Sequence, residues 1–150
     1  MTTTAVDKVF IDTNILVFAQ LALAPHHAVA VARLNELAAG GAELWISRQI
    51  LREYLSAMSE PRLLTGTIPM TSLLADVQRF DNYFQVAEED PAITIFLVGL
   101  LLQIPAVGKQ IHDANIVATM QAHGIPKLLT HNTADFARFS SVITVVPLIP

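Results

Sequence analysis

The chain has no cysteine among its 150 residues. That excludes structural disulfides, cysteine–zinc sites, iron–sulfur clusters and a thiol nucleophile, so any metal must be held by carboxylate, imidazole, amide or water. Charge is scarce as well. Only 15% of residues are Asp, Glu, Lys or Arg, against roughly 25% in an ordinary globular domain. With 53% apolar residues, this excludes a disordered or highly charged solvating chain. It also implies apolar surface beyond one core, and so a second subunit or a partner. A long hydrophobic run is missing too. The greasiest stretch, Ala92 to Ile104, falls short of the roughly 20 residues that a membrane-spanning helix needs. Met1 to Lys8 lacks the basic-then-apolar pattern of a secretory signal. A cytoplasmic protein without membrane association is expected. The net charge of −4 gives no global attraction for nucleic acid, so binding there must use a local patch or bound cations.

The length suits one domain over residues 1–150, able to bury roughly 68–70% of its unfolded surface without a staple. Val9-Phe10-Ile11 is an apolar run ending at Asp12 and reads as a buried strand. Asn14 to about Leu23 reads as a helix stopped by Pro25. A second helix spans His27 to Ala39 and stops at Gly40-Gly41. Leu44-Trp45-Ile46 is another strand, and Ser47 caps a helix from Arg48 to Ser59 whose Leu51, Tyr54, Leu55 and Met58 share a face. Pro61, Gly66 and Pro69 mark a loop before a helix from Thr71 to about Phe84. Val86 begins a short strand. Asp90-Pro91 opens the apolar helix to Ile104, and Pro105 and Gly108 break it. Ile111 to His123 is helical and closed by Gly124, Lys127 to Thr130 is a buried strand, and Ile143 to Val146 is the last strand. Short apolar strands alternate with helices, and helix outweighs strand. The fold class is α/β with a parallel sheet.

Ligands of such sheets bind beyond the carboxyl ends of the strands. Asp12 follows the first strand there, Asp135 follows the late strand within Thr130-His131-Asn132-Thr133-Ala134-Asp135-Phe136, and Asp113 opens a helix between them. Asp113 shares a stripe with Ile116, Val117 and Met120, which makes it the acid expected to be least able to escape into solvent. Three acids at three element ends suit a hard cation such as Mg²⁺ or Mn²⁺, which takes oxygen ligands from a couple of carboxylates, water and phosphate.

Val9-Phe10-Ile11-Asp12-Thr13-Asn14, then Glu53 in Leu51-Arg52-Glu53-Tyr54, then His112-Asp113-Ala114, then the Thr130–Phe136 segment, and finally Val146-Pro147, resemble the PIN-domain family in order and spacing. The nearest branch is the toxin half of bacterial VapBC toxin–antitoxin pairs. The resemblance implies a three-layer fold with a short central parallel sheet flanked by helices, and a metal-dependent endoribonuclease. It implies Mg²⁺ or Mn²⁺ on Asp12, Glu53, Asp113 and Asp135, with Thr133 or Asn132 orienting a carboxylate or a water. Such a cation activates water for in-line attack on phosphorus and offsets repulsion between the acids and the RNA. The resemblance further implies an RNA substrate, a cognate antitoxin and a homodimer. His112 and His131 adjoin the acids and would act on them indirectly.

Each residue also has a plainer reading. Asp12 would cap the next helix, Asp113 would complement a helix dipole, Asp135 would cap the turn before Phe136, and Glu53 would be solvated. Glu53 shares a strip with Gln49 and Ala57, opposite the apolar face of its helix, and reaches a cleft only if that helix lies across the sheet edge. Arg48 and Arg52 form a basic strip, solvated or in contact with RNA phosphate. His26-His27 mark a helix start, Trp45 belongs to the core or an interface, and the Ala92–Ile104 helix to packing or an interface. The rival functions are a non-catalytic PIN-like module that binds RNA or protein, and a phosphotransfer domain with Asp12 as nucleophile. Asn14 stands where a phosphatase of that kind would want a second aspartate, and Lys127 precedes its strand rather than following it.

Overall fold

Strand β1 (Lys8–Ile11) is followed by α1 (Thr13–Gln20) and α2 (His27–Ala39), then β2 (Glu43–Ser47), α3 (Arg48–Ser59) and α4 (Met70–Tyr83). After β3 (Gln85–Ala87) come α5 (Pro91–Gln103), α6 (Gln110–His123), β4 (Lys127–Thr130), α7 (Thr133–Phe136) with a 3-10 turn at Ala137–Phe139, and β5 (Thr144–Pro147). This computed structural model describes residues 4–62 and 66–150. Local chemistry sets the boundaries. The Ser47 side chain accepts from the Ile50 amide at the start of α3, and the Asp90 side chain accepts from the Ala92 amide above Pro91, both ordinary caps. Gly124 ends α6 at φ +67°, a left-handed conformation that glycine adopts without strain. Of the loop expected around Pro61, Gly66 and Pro69, the flanks meet in a bridge between Arg62 and Gly66, while residues 63–65 lie outside the described residues.

The strands form one parallel sheet in the order β3-β2-β1-β4-β5. Val9, Phe10, Ile11, Ile46, Leu128 and Leu129 are buried, as near-continuous apolar runs must be when helices cover both faces of a sheet. Helix α1 packs on α2 and α3, α3 on α4, α5 on α6, and α6 on α7. Right-handed crossovers put α1–α4 on one face and α5–α7 on the other, which makes the three layers expected from the sequence. Many element ends shift by a single residue from expectation, and two of the departures have a plain local cause. Helix α1 stops at Gln20 rather than near Leu23, because a turn in which the Ala24 amide donates to the Leu21 carbonyl takes over before Pro25. Strand β5 extends to Pro147, which is tolerated because β5 is an edge strand and Pro147 need not donate to a further neighbour.

This topology positions the site. The chain steps from β1 through β2 to β3, then crosses back to place β4 on the other side of β1. The connections leaving β1 and β4 therefore run to opposite faces, and a crevice opens beyond their carboxyl ends. In the register, Ile11 lies beside Leu129. The next residues along, Asp12 and Thr130, are brought together at the mouth of that crevice.

Candidate active site

Asp12 is the anchor. It is 5% exposed and holds three hydrogen bonds. One carboxylate oxygen, Oδ1, accepts from the Thr13 amide at 2.8 Å. The other, Oδ2, accepts from the Thr130 hydroxyl at 2.7 Å and from the Asn14 side-chain amide at 3.1 Å. Asn14 in turn accepts from the His131 amide at 3.1 Å, and the Asn132 amide donates to the Thr130 hydroxyl at 3.0 Å. The segment after β1 is thereby stitched to the segment after β4. Burial raises the Asp12 pKa, and the negative charge of Asp135 adds to that, against the opposing effect of the three hydrogen bonds.

Glu53 comes from α3, which lies against α1. Its Oε1 accepts from the Thr13 hydroxyl at 3.5 Å and its Oε2 from the Gln49 side chain at 3.3 Å. Gln49, only 8% exposed, also donates to the His112 carbonyl at 2.9 Å and accepts from the Asn115 amide at 2.8 Å. This pins α3 to the start of α6. Burial and the nearby Asp12 charge push the Glu53 pKa up to about 7. Asp113 lies in the first turn of α6 and Asp135 in that of α7, where helix dipoles favour an anion. Burial, then Asp135 and Asp12, push Asp113 up to about 6. Among the described residues, neither the Asp113 nor the Asp135 carboxylate accepts a hydrogen bond.

All four acids line one pocket of about 310 Å³, together with Thr13, Asn14 and Asn132, and no Lys or Arg is among its lining residues. Burial first, and the neighbouring carboxylates second, raise the pKa values of Asp12, Glu53 and Asp113, as expected where like charges share a partly desolvated site. The donor set therefore suits a hard cation: oxygen ligands, excess negative charge and no competing ammonium. Among the described residues no three such side chains converge closely enough to grip one ion directly.

The structure corrects some details of the sequence reading. Asp12 is buried because β1 is the central strand, flanked by β2 and β4, whereas Asp113, the acid expected to be least able to escape into solvent, is half-buried in the first turn of α6. The hydroxyl that reaches Asp12 belongs to Thr130; Thr133 opens α7 and is not among the residues lining the pocket, whereas Asn132, the other residue expected to orient a carboxylate or a water, does line it. Thr13 and Thr130 lie inside the segments that carry the resemblance, which assigns them no role, and Gln49 lies outside those segments. Only the i, i+4 spacing of Gln49 to Glu53 and the strand register hint at their roles. Arg48 is occupied: it bonds Asp81 and Glu88, which hold its guanidinium pKa up. Arg52 pairs with Glu89. His27 bonds the Phe18 carbonyl, and the rings of His26 and His131 pack with Phe18 beside the pocket. Thr130→Val keeps the shape of its side chain but strips a charge-assisted bond from Asp12. It should cost roughly 1.5–3 kcal/mol in urea unfolding at pH 8, and less at low pH, where Asp12 takes up a proton.

Comparison with known proteins agrees with this geometry. Ribonuclease VapC48 of Mycobacterium tuberculosis is 24% identical over 133 residues, which are 87% of this chain and 91% of that protein. The fold is shared with the VapBC2 complex of Rickettsia felis solved with promoter DNA, at a TM-score of 0.69 and 18% identity, covering 93% of this chain and 98% of the other. It is shared also with the sarcin–ricin-loop-cleaving toxin VapC20 of Mycobacterium tuberculosis, at a TM-score of 0.58 and 18% identity, covering 80% and 86%. The family model that describes the PIN domain matches residues 9–141, a span that runs from β1 past Asp135 and takes in all four acids of the pocket. A parallel sheet in this order, with its acids gathered at the β1/β4 crevice, is thus more than a chance likeness, and the chain belongs to the PIN-domain family.

Proposed function

We propose that this chain, as a single domain, is a Mg²⁺- or Mn²⁺-dependent endoribonuclease and the toxin of a type II toxin–antitoxin pair. The observation that carries the reading is the pocket of four carboxylates with no cation of its own at the crevice between β1 and β4. Asp12, Glu53, Asp113 and Asp135 would hold the ion. When bound, it supplies Lewis acidity to ionise water and charge to offset the phosphate. The protein's part is placement. Thr130, Thr13 and Asn14 fix the Asp12 carboxylate, and Gln49 and Thr13 fix Glu53. Glu53 and Asp113, lifted toward neutrality without a cation, are poised to give up protons as one binds. RNA as substrate is supported by the ribonuclease name of the 24% identical relative and by the loop-cleaving toxin of the same fold. Pure protein should cleave single-stranded or structured RNA with Mg²⁺ or Mn²⁺ and stop when EDTA is in excess. Robust cleavage in EDTA would refute the metal assignment.

The partner reading rests on two apolar surfaces. A groove of about 620 Å³ between α1, α2 and α4 is floored by Leu16, Val31, Leu34, Phe80 and Phe84 and rimmed by Arg79. It fits the apolar face of an amphipathic helix, and we assign it to the antitoxin, whose basic side chain would reach the acids. The second surface is α5, where Ile95, Val98 and Leu102 are 73%, 55% and 83% exposed on one stripe. We assign that stripe to the homodimer. Leu102→Glu should convert the dimer to a monomer in sedimentation experiments and leave the melting temperature within a few degrees of wild type. A monomeric wild-type protein would contradict the assignment. Among the described residues no helix is long and apolar enough to cross a membrane, and we place the protein in the cytoplasm.

A further inference from the structure

Beside the acid pocket lies a second, larger cleft of about 680 Å³ between α3 and α6. The two adjoin, because Glu53 and Asp113 line both. A polymer that places one phosphate at the acids can therefore lay a neighbouring unit in this cleft. The volume lies within the roughly 300–1,000 Å³ of small-ligand pockets.

The cleft is a built feature. Its back is the buried side chain of Gln49, locked to Asn115, Glu53 and the His112 carbonyl. Leu97 and Ile111 add an apolar patch, and Ser56 and Asn115 add hydrogen-bonding groups. Two cations also line it, Arg52, which is paired with Glu89, and Lys109.

The other cations show why Lys109 matters. Arg33, Arg48, Arg52, Arg79 and Lys127 are in ion pairs, Lys8 lies over the Trp45 ring, and Arg62 bonds the Ala57 carbonyl. Of the chain's nine Lys and Arg, that leaves Lys109 and Arg138, and both stand near the first turn of α6. Arg138 is held by Gln110 and lowers the Asp113 pKa through its charge. Lys109 makes no ion pair among the described residues. The backbone amides at this helix start are already taken, since those of Gln110, Ile111 and His112 donate to Val107, Gly108 and Lys109. The Lys109 side chain is therefore the group left to meet an anion. In a protein of net charge −4, an unpaired ammonium beside an acid cluster attracts phosphate and offsets the repulsion that the acids exert on it.

We propose that the cleft between α3 and α6 is the subsite for the nucleotide flanking the scissile phosphate in single-stranded RNA, with Lys109 on that nucleotide's phosphate. This rests on the ribonuclease reading above. An unpaired strand is required because only a splayed nucleotide can enter a cleft of this size with its base against the Leu97–Ile111 patch.

The test is steady-state cleavage of a fluorophore–quencher single-stranded 12-mer RNA by the full chain with Mg²⁺. Two variants are used: Lys109→Gln, which removes the charge, and Ser56→Trp, which fills the cleft from an exposed position on α3. Each should raise KM about fivefold or more with kcat within about twofold of wild type. A general folding defect would instead lower kcat and the melting temperature. For Lys109→Gln, log(1/KM) against log salt should also lose about 0.7 of its slope, the contribution of one phosphate contact on a single strand. Lys8→Gln, far from the cleft, should leave both unchanged. If both variants cleave with wild-type KM and salt slope, the subsite is refuted while the ribonuclease reading stands. If the wild type cleaves no RNA, both fall together.

Discussion

Asp12→Asn should cut RNA cleavage by roughly 10²–10³-fold or more, the range seen when one preorganised charge-stabilising group is removed, while the far-ultraviolet circular dichroism spectrum stays as in wild type. The loss is expected to be the largest of any single acid because Asp12 is the most constrained. It is buried at the end of a central strand and fixed by Thr13, Asn14 and Thr130. The asparagine keeps the size of the side chain and an oxygen for the Thr13 amide, so the fold should survive. What it loses is one unit of negative charge from the best-fixed of the four carboxylates that would hold a dication. An Asp12→Asn protein that turned over RNA at near wild-type rate would place the chemistry elsewhere. A variant that lost its circular dichroism signal would show Asp12 to be chiefly a structural cap.

Asp113→Asn should remove turnover and yet stabilise the metal-free protein. Its carboxylate accepts no hydrogen bond among the described residues, and in the metal-free fold burial, Asp135 and Asp12 penalise its charge more than Arg138 and His112 favour it. The folded pKa of about 6 lies above the ordinary value of 3.8. Between those two values the folded chain binds more protons than the unfolded chain, so its stability falls as pH rises through that window. The gain from Asp113→Asn should therefore be absent near pH 4 and complete above about pH 7. Two like charges about 4 Å apart repel by roughly 1–4 kcal/mol across effective dielectrics from 80 down to 20. After solvent screening we expect a net cost of about 1 kcal/mol, or a rise of about 2–4 °C in melting temperature in EDTA at pH 8. Mn²⁺ should reverse the order, raising the wild type more than the variant, because ligand-linked stability needs the intact site. Melting curves at pH 5 and pH 8, with EDTA and with Mn²⁺, test all four arms. A variant that melts lower in EDTA and answers Mn²⁺ like wild type would make Asp113 a dipole partner of α6 and nothing more.

What could be read from the sequence follows from which forces are local. The runs Val9–Ile11 and Lys127–Thr130 are strands buried on both faces, and a short continuous apolar run bounded by polar residues announces that directly. Helices His27–Ala39 and Arg48–Ser59 have the expected limits, because a Gly pair and a Ser cap are written into the chain. Strand order is another matter. It depends on which way each crossover turns, and no residue states that. The site divides the same way. The helical phase of Asp113 is legible, since Ile116, Val117 and Met120 on its stripe are buried. How closely neighbouring elements cover the first turn of α6 is not, and that sets how wet Asp113 is. The Gln49-Glu53-Ala57 strip is legible as helical spacing. That it faces the crevice depends on α3 packing against α1. Thr130 could be found only from the β1/β4 register, which sets Ile11 beside Leu129 and so Asp12 beside Thr130. Thr133 sits three residues further on, inside the segment that carries the resemblance, and the sequence offers nothing to separate two threonines so close together.

Four carboxylates at the β1/β4 crevice, proposed here to hold the hard dication that drives RNA cleavage, can be tested without knowledge of the RNA target. Calorimetric titration of metal-free protein with Mn²⁺, in wild type and in Asp12→Asn, is that test. Wild type should bind one or two ions saturably, and Asp12→Asn none with measurable affinity. Equal Mn²⁺ binding by the two proteins, or none by wild type, would contradict the proposed site.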